Sequence, residues 1–274
     1  MIQSSPKIFS HLILISGILL MIVPIWMIFA SSTHSNSLVR SEGMQIFIGN
    51  NLIENYDKVL NQKGGFAKEI NAAGMLFNSF IMAFGIAILA VITSLMSAYA
   101  IVYFRFRLAV PLFWLIFITI LVPLELRIMP SYQIVSDLGL INSYAGLILP
   151  LSASAIATFF FRQFYLSIPN ELLEAAKLDG VNSWKFFIDF LIPLSKTMIT
   201  AVFIFMFVYG YNQYLWPIIM TTSEKYWTVI MGMKMIYMGN SVERYAYIIL
   251  SMLPPVFVIV FLQRFFIQGL FQSK

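Results

Sequence analysis

Six stretches of this chain are too long and too apolar for the inside of a soluble domain: residues 9–30, 74–102, 109–131, 141–166, 197–219 and 245–266. A helix needs about 20 mostly apolar residues to cross the hydrocarbon of a bilayer, and each stretch meets that length. The chain is 60% apolar and 11% charged, whereas an ordinary soluble domain is about 45–50% apolar and about 25% charged. The excess has to face lipid. Lipid offers the backbone no hydrogen-bond partner, so a spanning segment must satisfy its own N–H and C=O groups by winding into a helix. The expectation is an all-α membrane protein with six transmembrane helices in a single domain over residues 1–274.

Several of these segments carry internal proline (Pro24, Pro123, Pro150, Pro254 and Pro255), which a spanning helix tolerates where neighbours re-satisfy the freed carbonyl. The first segment has Lys7 before it and the small residues Ala30-Ser31-Ser32 after it, as a secretory signal would. Its 22 residues from Phe9 to Ala30 exceed the apolar run of about 7–15 expected of a cleaved signal, so it reads as a retained first helix. The chain has no cysteine, which excludes disulfides, thiolate metal sites and a cysteine nucleophile.

Orientation follows from where lysine and arginine fall. With the N-terminus inside, Lys7, Arg105, Arg107, Arg162, Lys177, Lys185, Lys196, Arg264 and Lys274 are cytoplasmic, nine of the 17 basic residues. The short loop 103–108 with Arg105-Phe106-Arg107 is the clearest inside marker. Both termini are therefore expected in the cytoplasm. Loop 31–73, with Asn55-Tyr56-Asp57 and Lys63-Gly64-Gly65, is expected outside. The net charge of +5 is then a matter of membrane topology and does not call for nucleic acid.

Segment 167–196 does not suit a membrane. It reads as a helix, a turn and a second helix. Asn170 is placed to cap the first helix and Glu171 lies in its first turn, where the helix dipole favours an anion. The helix ends near Leu178, and Gly180 can take the left-handed conformation that closes it. Asn182 or Ser183 can cap the second helix, which Pro193 interrupts before the fifth segment. So short a helix is marginal alone and is held by packing. Its neighbour is either a partner protein, which the small Ala175 and Ala176 would let approach, or the bilayer or bundle surface.

Glu174-Ala175-Ala176, Asp179-Gly180 and Ile192-Pro193-Leu194 resemble, in order and spacing, the EAA loop of ABC importer permeases. Asn78-Ser79, Pro123 and Pro130, and the run from Tyr211 to Pro217 resemble the carbohydrate-uptake branch of that family, and the likeness runs from about residue 50 onward. Phe104 to Arg107, Pro123 to Pro130, Ser143 to Leu147, Phe161 to Phe164 and Pro193 to Lys196 look most like permeases for sn-glycerol-3-phosphate, with Tyr211 standing where those carry tryptophan. The resemblance implies the type I importer permease fold and a bacterial inner (plasma) membrane location. It implies a second permease subunit as heterodimer partner, two ATPase subunits, and a periplasmic or lipid-anchored substrate-binding protein. It also implies that Glu174, Ala175, Ala176, Asp179 and Gly180 couple the permease to the ATPase. The chain has no G-x-x-x-x-G-K-[ST] motif, so ATP and Mg²⁺ would be bound by the ATPase chain and this chain needs no cofactor or metal of its own. In relatives, the last outer loop (220–244, with Glu224, Lys225, Trp227 and Lys234) reaches the binding protein; by its residues alone it reads also as a plain interfacial loop with Trp227 as aromatic anchor.

For the path, Tyr209, Asn212 and Trp216 fall at i, i+3 and i+7, one face of a helix. Asn212 either faces the path or bonds a neighbouring helix, and Asn78, Ser94 and Ser97 carry the same ambiguity. Glu125 and Arg127, between Pro123 and Pro130, either form an interfacial pair or leave the Arg127 guanidinium for an anionic substrate. A secondary transporter or channel is disfavoured, because no internal repeat is evident and the midplane is nearly free of charge. A membrane enzyme is disfavoured too: no H-E-x-x-H or G-x-S-x-G occurs, and His11 and His34 are isolated.

Overall fold

The computed structural model describes residues 7–61, 69–104, 106–235 and 241–271. Lys63-Gly64-Gly65, Arg105 and Lys274 lie outside the described residues. Among the described residues all regular structure is helical: α1 (Lys7–Ser31), α2 (Asn36–Glu42), α3 (Leu52–Asn61), α4 (Ala72–Tyr103), α5 (Ala109–Ile118), α6 (Leu124–Asp137), α7 (Tyr144–Ile148), α8 (Ala155–Leu166), α9 (Asn170–Leu178), α10 (Ser183–Phe186), α11 (Ile192–Leu194), α12 (Lys196–Tyr211), α13 (Leu215–Met220), α14 (Val229–Met235) and α15 (Ser241–Phe271). Three helices, over Phe9–Ser31, Ala72–Tyr103 and Ser241–Phe265, are individually long and apolar enough to cross a bilayer. Three bent pairs bring the number to six: Ala109–Leu121 with Glu125–Asp137, Tyr144–Leu151 with Ala155–Leu166, and Ser183–Leu194 with Lys196–Tyr211.

The third and fifth apolar segments differ from straight spans. At the third, the two helices meet at 108° around Pro123, which has no N–H to continue the first and stands extended at the start of the second. In the fifth, α12 stops at Tyr211 and α13 begins at Leu215.

The chain forms two compact units. The first comprises Met1–Leu76 and Met231–Leu253. In it α1 exposes every side chain from His11 to Trp26, as a helix solvated by hydrocarbon can. Its end is tied by polar groups: Ser31, Ser32 and Thr33 are wholly buried. The Asn55 amide donates to the Ser32 and His34 carbonyls, each at 2.9 Å, and the Gly49 and Gln45 amides donate to the Thr33 and Ser31 hydroxyls. On α3, Lys58 pairs with Glu54 at 2.6 Å.

The second unit comprises Phe77–Ile230 and Pro254–Lys274. It is organised on α4, whose Ala83, Ala87, Ala90, Ser94 and Ala98 are buried to 1% exposure or less. This stripe of small residues at helical spacing lets other backbones come close, the way helices associate where water gives no hydrophobic drive. A Cβ on Gly210 of α12 would stand 3.1 Å from the Ala83 Cα. Ser94 donates to the Ser154 carbonyl at 3.2 Å and Thr158 to Ser94 at 3.2 Å, so Ser94 joins α4 to α8 and leaves no hydroxyl free for a path.

Gly210→Ala places a methyl against backbone that cannot move aside, and the expected loss is about 1–3 kcal/mol. Gly17→Ala, where nothing lies within 4 Å, should cost nothing. Thermal unfolding of the two variants in detergent checks the pair.

Candidate functional site

The hairpin 167–196 lies at the end of α4 that carries Tyr99 and Tyr103. Pro169 occupies the cap position of α9 without a side-chain bond, and Asn170 is already the first helical residue. The capping expected of Asn170 does not occur, because proline's fixed φ turns the chain into the helix one residue earlier. The other end follows expectation. Gly180 has φ +71, its amide donates to the Lys177 carbonyl at 3.1 Å, and the Val181 amide donates to the Ala176 carbonyl at 2.9 Å. This is a Schellman closure. The Asn182 side chain accepts from the Lys185 amide at 2.8 Å and caps α10. The Tyr99 hydroxyl donates to the Ser183 carbonyl at 2.7 Å, anchoring the turn to α4. Beyond it Phe187–Leu191 winds as a π-helix, and the Ser195 amide and hydroxyl both donate to the Leu191 carbonyl, at 2.9 and 2.6 Å. The chain then bends by 75° into α12.

The faces of α9 divide the expected coupling residues. Ala176 is 4% exposed and, with Leu173, lines a cavity of about 70 Å³ shared with Tyr99, Tyr103 and Phe186. Its small side chain seats the helix on its own bundle. Glu171, Glu174, Ala175 and Leu178 fall at i, i+3, i+4 and i+7 and are all exposed, as is Asp179. Leu178 is 89% exposed and Trp184 60%. Those two apolar side chains were not singled out in the sequence, although Leu178 shares the helical face of Glu174.

A cavity of about 270 Å³ opens where the third segment breaks. Its wall includes Thr119, Pro123, Arg127, Ser154, Met206 and Tyr209. Arg127 and Tyr209 therefore meet at one space. Glu125 and Asn212 are not in that wall. Glu125 is two residues from Arg127 on α6, a spacing that puts side chains on different faces, and no ion pair joins the two. The helical register joining Tyr209, Asn212 and Trp216 is broken. Asn212 terminates α12 with its side chain exposed, Trp216 is buried on α13, and the Gln213 amide donates back to the Tyr209 carbonyl at 3.2 Å. Pro217 cannot donate to a continuing helix.

Toward the other end of α4, side chains hold the loop that follows α13. Asn142, a non-glycine residue at φ 58, accepts from the Thr222 and Ser223 amides at 2.8 and 2.9 Å and donates to the Thr222 hydroxyl at 2.8 Å. Asn78 donates to the Lys225 and Trp227 carbonyls at 2.8 and 2.9 Å and accepts from the Tyr144 hydroxyl at 2.6 Å. The Ser79 hydroxyl accepts from the Val229 amide at 2.8 Å. Residues 222–229 are thus clasped, and Asn78 is a structural tie. Lys225 is exposed and Glu224 and Trp227 half-buried. The Lys234 side chain and residues 236–240 lie outside the described residues.

Residues 90–272 match the family model described as "Binding-protein-dependent transport system inner membrane component". Curated relatives include the sn-glycerol-3-phosphate transport system permease protein UgpE of Rhizobium meliloti, 43% identical with 100% of both chains covered. The protein of the same name from Agrobacterium fabrum is also 43% identical over 100% of both. That of Yersinia enterocolitica is 42% identical over 97% of this chain and 96% of its own. Among solved structures, a bacterial ABC transporter involved in the import of the acidic polysaccharide alginate superposes with TM-score 0.75 at 21% identity, covering 95% of this chain and 96% of that one.

Gly180→Ala forces a Cβ into the left-handed region at a cost of roughly 1–2 kcal/mol, and should loosen the hairpin so that proteolysis cuts near residue 180 first. Asn142→Gly keeps a backbone suited to positive φ and removes only the clasp. A stability loss of about 1–2 kcal/mol from the unpaired amides is expected, read as a lower thermal midpoint.

Proposed function

The chain belongs to the family of binding-protein-dependent transport system inner membrane components, and on that footing we propose that it moves sn-glycerol-3-phosphate inward as one of two membrane subunits of an ATP-driven importer. The observation that carries the substrate is identity of 43% along the entire chain with permeases named for that compound. The cavity agrees with it. A volume of about 270 Å³ suits a ligand smaller than the drug-sized molecules that fill pockets of about 300–1,000 Å³. Arg127 offers a planar guanidinium that matches a phosphate in bidentate fashion. Thr119, Ser154 and Tyr209 bring hydroxyl groups to the same wall, suited to a polyol. Glu125 and Asn212 do not line that wall, and this reading gives neither a contact with the ligand.

Residues 1–274 act as a single transmembrane domain with six crossings, the three bent pairs counting as one crossing each. Both termini and the hairpin 167–196 are in the cytoplasm of a bacterial cell bounded by this inner membrane. The chain has no phosphate-binding loop and hydrolyses nothing itself. Two copies of a separate ATPase chain, holding ATP and Mg²⁺, press on the exposed face of α9: Glu174 as polar anchor, Ala175 as close contact, and Leu178 and Trp184 as apolar contacts. Ala176, Asp179 and Gly180 serve by fixing the helix and its turn. The capped hairpin is stiff, so a push on it is passed through the π-helix and the Ser195 bend into α12, which carries Tyr209 at the cavity. Packed helices switch between discrete arrangements, which is how such a push becomes alternating access. The clasped loop 222–229 faces outward toward the soluble binding protein, and a second permease subunit supplies the other half of the path.

The test is ATP hydrolysis and uptake by the reconstituted complex with its binding protein. Stimulation by sn-glycerol-3-phosphate and not by maltose is expected, and stimulation by maltose alone would overturn the cargo. Arg127→Gln should reduce uptake about tenfold or more, the loss of one charge-assisted contact, at unchanged expression. Full uptake by that variant would remove Arg127 from the path.

A further inference from the structure

Arg162 carries a charge that no carboxylate among the described residues answers. It sits on α8, half-buried, with its guanidinium carbon 4.0 Å from the centroid of the Phe113 ring on α5. Its Nε is wholly buried and makes no hydrogen bond. Among the described residues no carboxylate pairs with it. A guanidinium has five N–H donors, and the face of one ring satisfies none of them. A partly desolvated cation in that condition demands an acceptor, and the described residues supply none.

Depth and surroundings say what it is. In the orientation proposed above, α5 begins and α8 ends at the inner face of the membrane. Phe113 lies four residues after Ala109 and Arg162 four before Leu166, so both are about 6 Å inside their helix ends at about 1.5 Å per residue. That is within reach of the headgroup layer for a side chain as long as arginine. Elsewhere around the same helices, α5 exposes Leu112, Trp114, Leu115 and Ile118 and α8 exposes Phe160. None is the small residue by which membrane helices pair, and Trp114 is of the kind that settles at a lipid interface. Arg107, exposed on the turn before α5, adds a second cation at the same end.

We infer that the surface of α5 and α8 at Arg162 holds an anionic phospholipid of the inner leaflet, its phosphate bound by the Arg162 guanidinium and its acyl chains lying on the exposed apolar side chains of these helices. The ring of Phe113 holds the guanidinium in place, and a phosphate accepts two of its parallel N–H bonds at once. Basic pockets between membrane helices on the cytoplasmic side are suited to such headgroups. The inference rests on the membrane orientation proposed above, but not on the identity of the transported substrate.

The experiment is native mass spectrometry of the assembled complex after extensive detergent washing, with phosphatidylglycerol and phosphatidylcholine supplied in equal amounts. Wild type should keep phosphatidylglycerol selectively. Arg162→Gln should keep about tenfold less, the loss of one charge-assisted contact, and Arg162→Lys an intermediate amount. Equal retention by wild type and Arg162→Gln would overturn the proposal. So would an Arg162→Gln complex that sheds its partner permease while its lipid count is unchanged, since the acceptor would then be a group on that partner. Phe113→Leu, which frees the guanidinium while keeping an apolar side chain, should also lower retention and serves if Arg162→Gln fails to assemble; undiminished retention there overturns it equally. Lipid retention is read without transport, so a failed importer assignment would appear only as unstimulated ATP hydrolysis.

Discussion

Backbone groups inside a bilayer have no water to turn to, and this requirement governs the second unit of the molecule. Wherever a helix is interrupted, a side chain takes over. The break before α8 has the Ser152 carbonyl met by Thr93 of α4, and Ser94 of α4 adds a bond to the Ser154 carbonyl at the start of α8. The end of α12 has the Tyr209 carbonyl met by Gln213. The bend before α12 has the Leu191 carbonyl met by Ser195, and the loop after α13 is held by Asn142 and Asn78. An unmet group in hydrocarbon costs several kcal/mol, so these asparagines, serines and threonines permit the bends.

The bends in turn make the molecule useful. A bundle of straight helices has no reason to enclose a polar space. The 108° turn around Pro123 brings Arg127 to the same wall as Ser154 and Tyr209. A charged side chain at membrane depth is expensive unless it is wet or paired, and an open cavity is what makes Arg127 tolerable there. Arg162 meets the same problem in a different way, stacked on an aromatic ring with no carboxylate partner among the described residues.

The hairpin shows how little is needed to make a short helix rigid. Nine residues of helix would be marginal in isolation. A left-handed glycine, an asparagine cap and one tyrosine hydroxyl remove most of its freedom, and Ala176 lets it sit closely on the bundle. The opposite face is left clean, with Glu174, Ala175 and Leu178 outward. The coupling proposed above needs a surface that is both held and available, and α9 divides into an inward face on the bundle and an outward, exposed one.

The sequence alone determined which segments are apolar enough to span, that 167–196 stands apart from them, and that Gly180 closes its first helix while Asn182 or Ser183 opens its second. These are legible because a cap bonds to a backbone group two or three residues away, so the residue and its consequence lie together in the chain. Only the tertiary structure decided that Ala176 faces its own bundle, that Asn212 ends a helix instead of lining one, and that Asn142 reaches Thr222 and Ser223. It alone also set Arg162 on Phe113. Each of these joins residues that are far apart in sequence or depends on what packs against a helix. Spacing along one helix cannot report what approaches it from another, nor reveal that the helix has stopped.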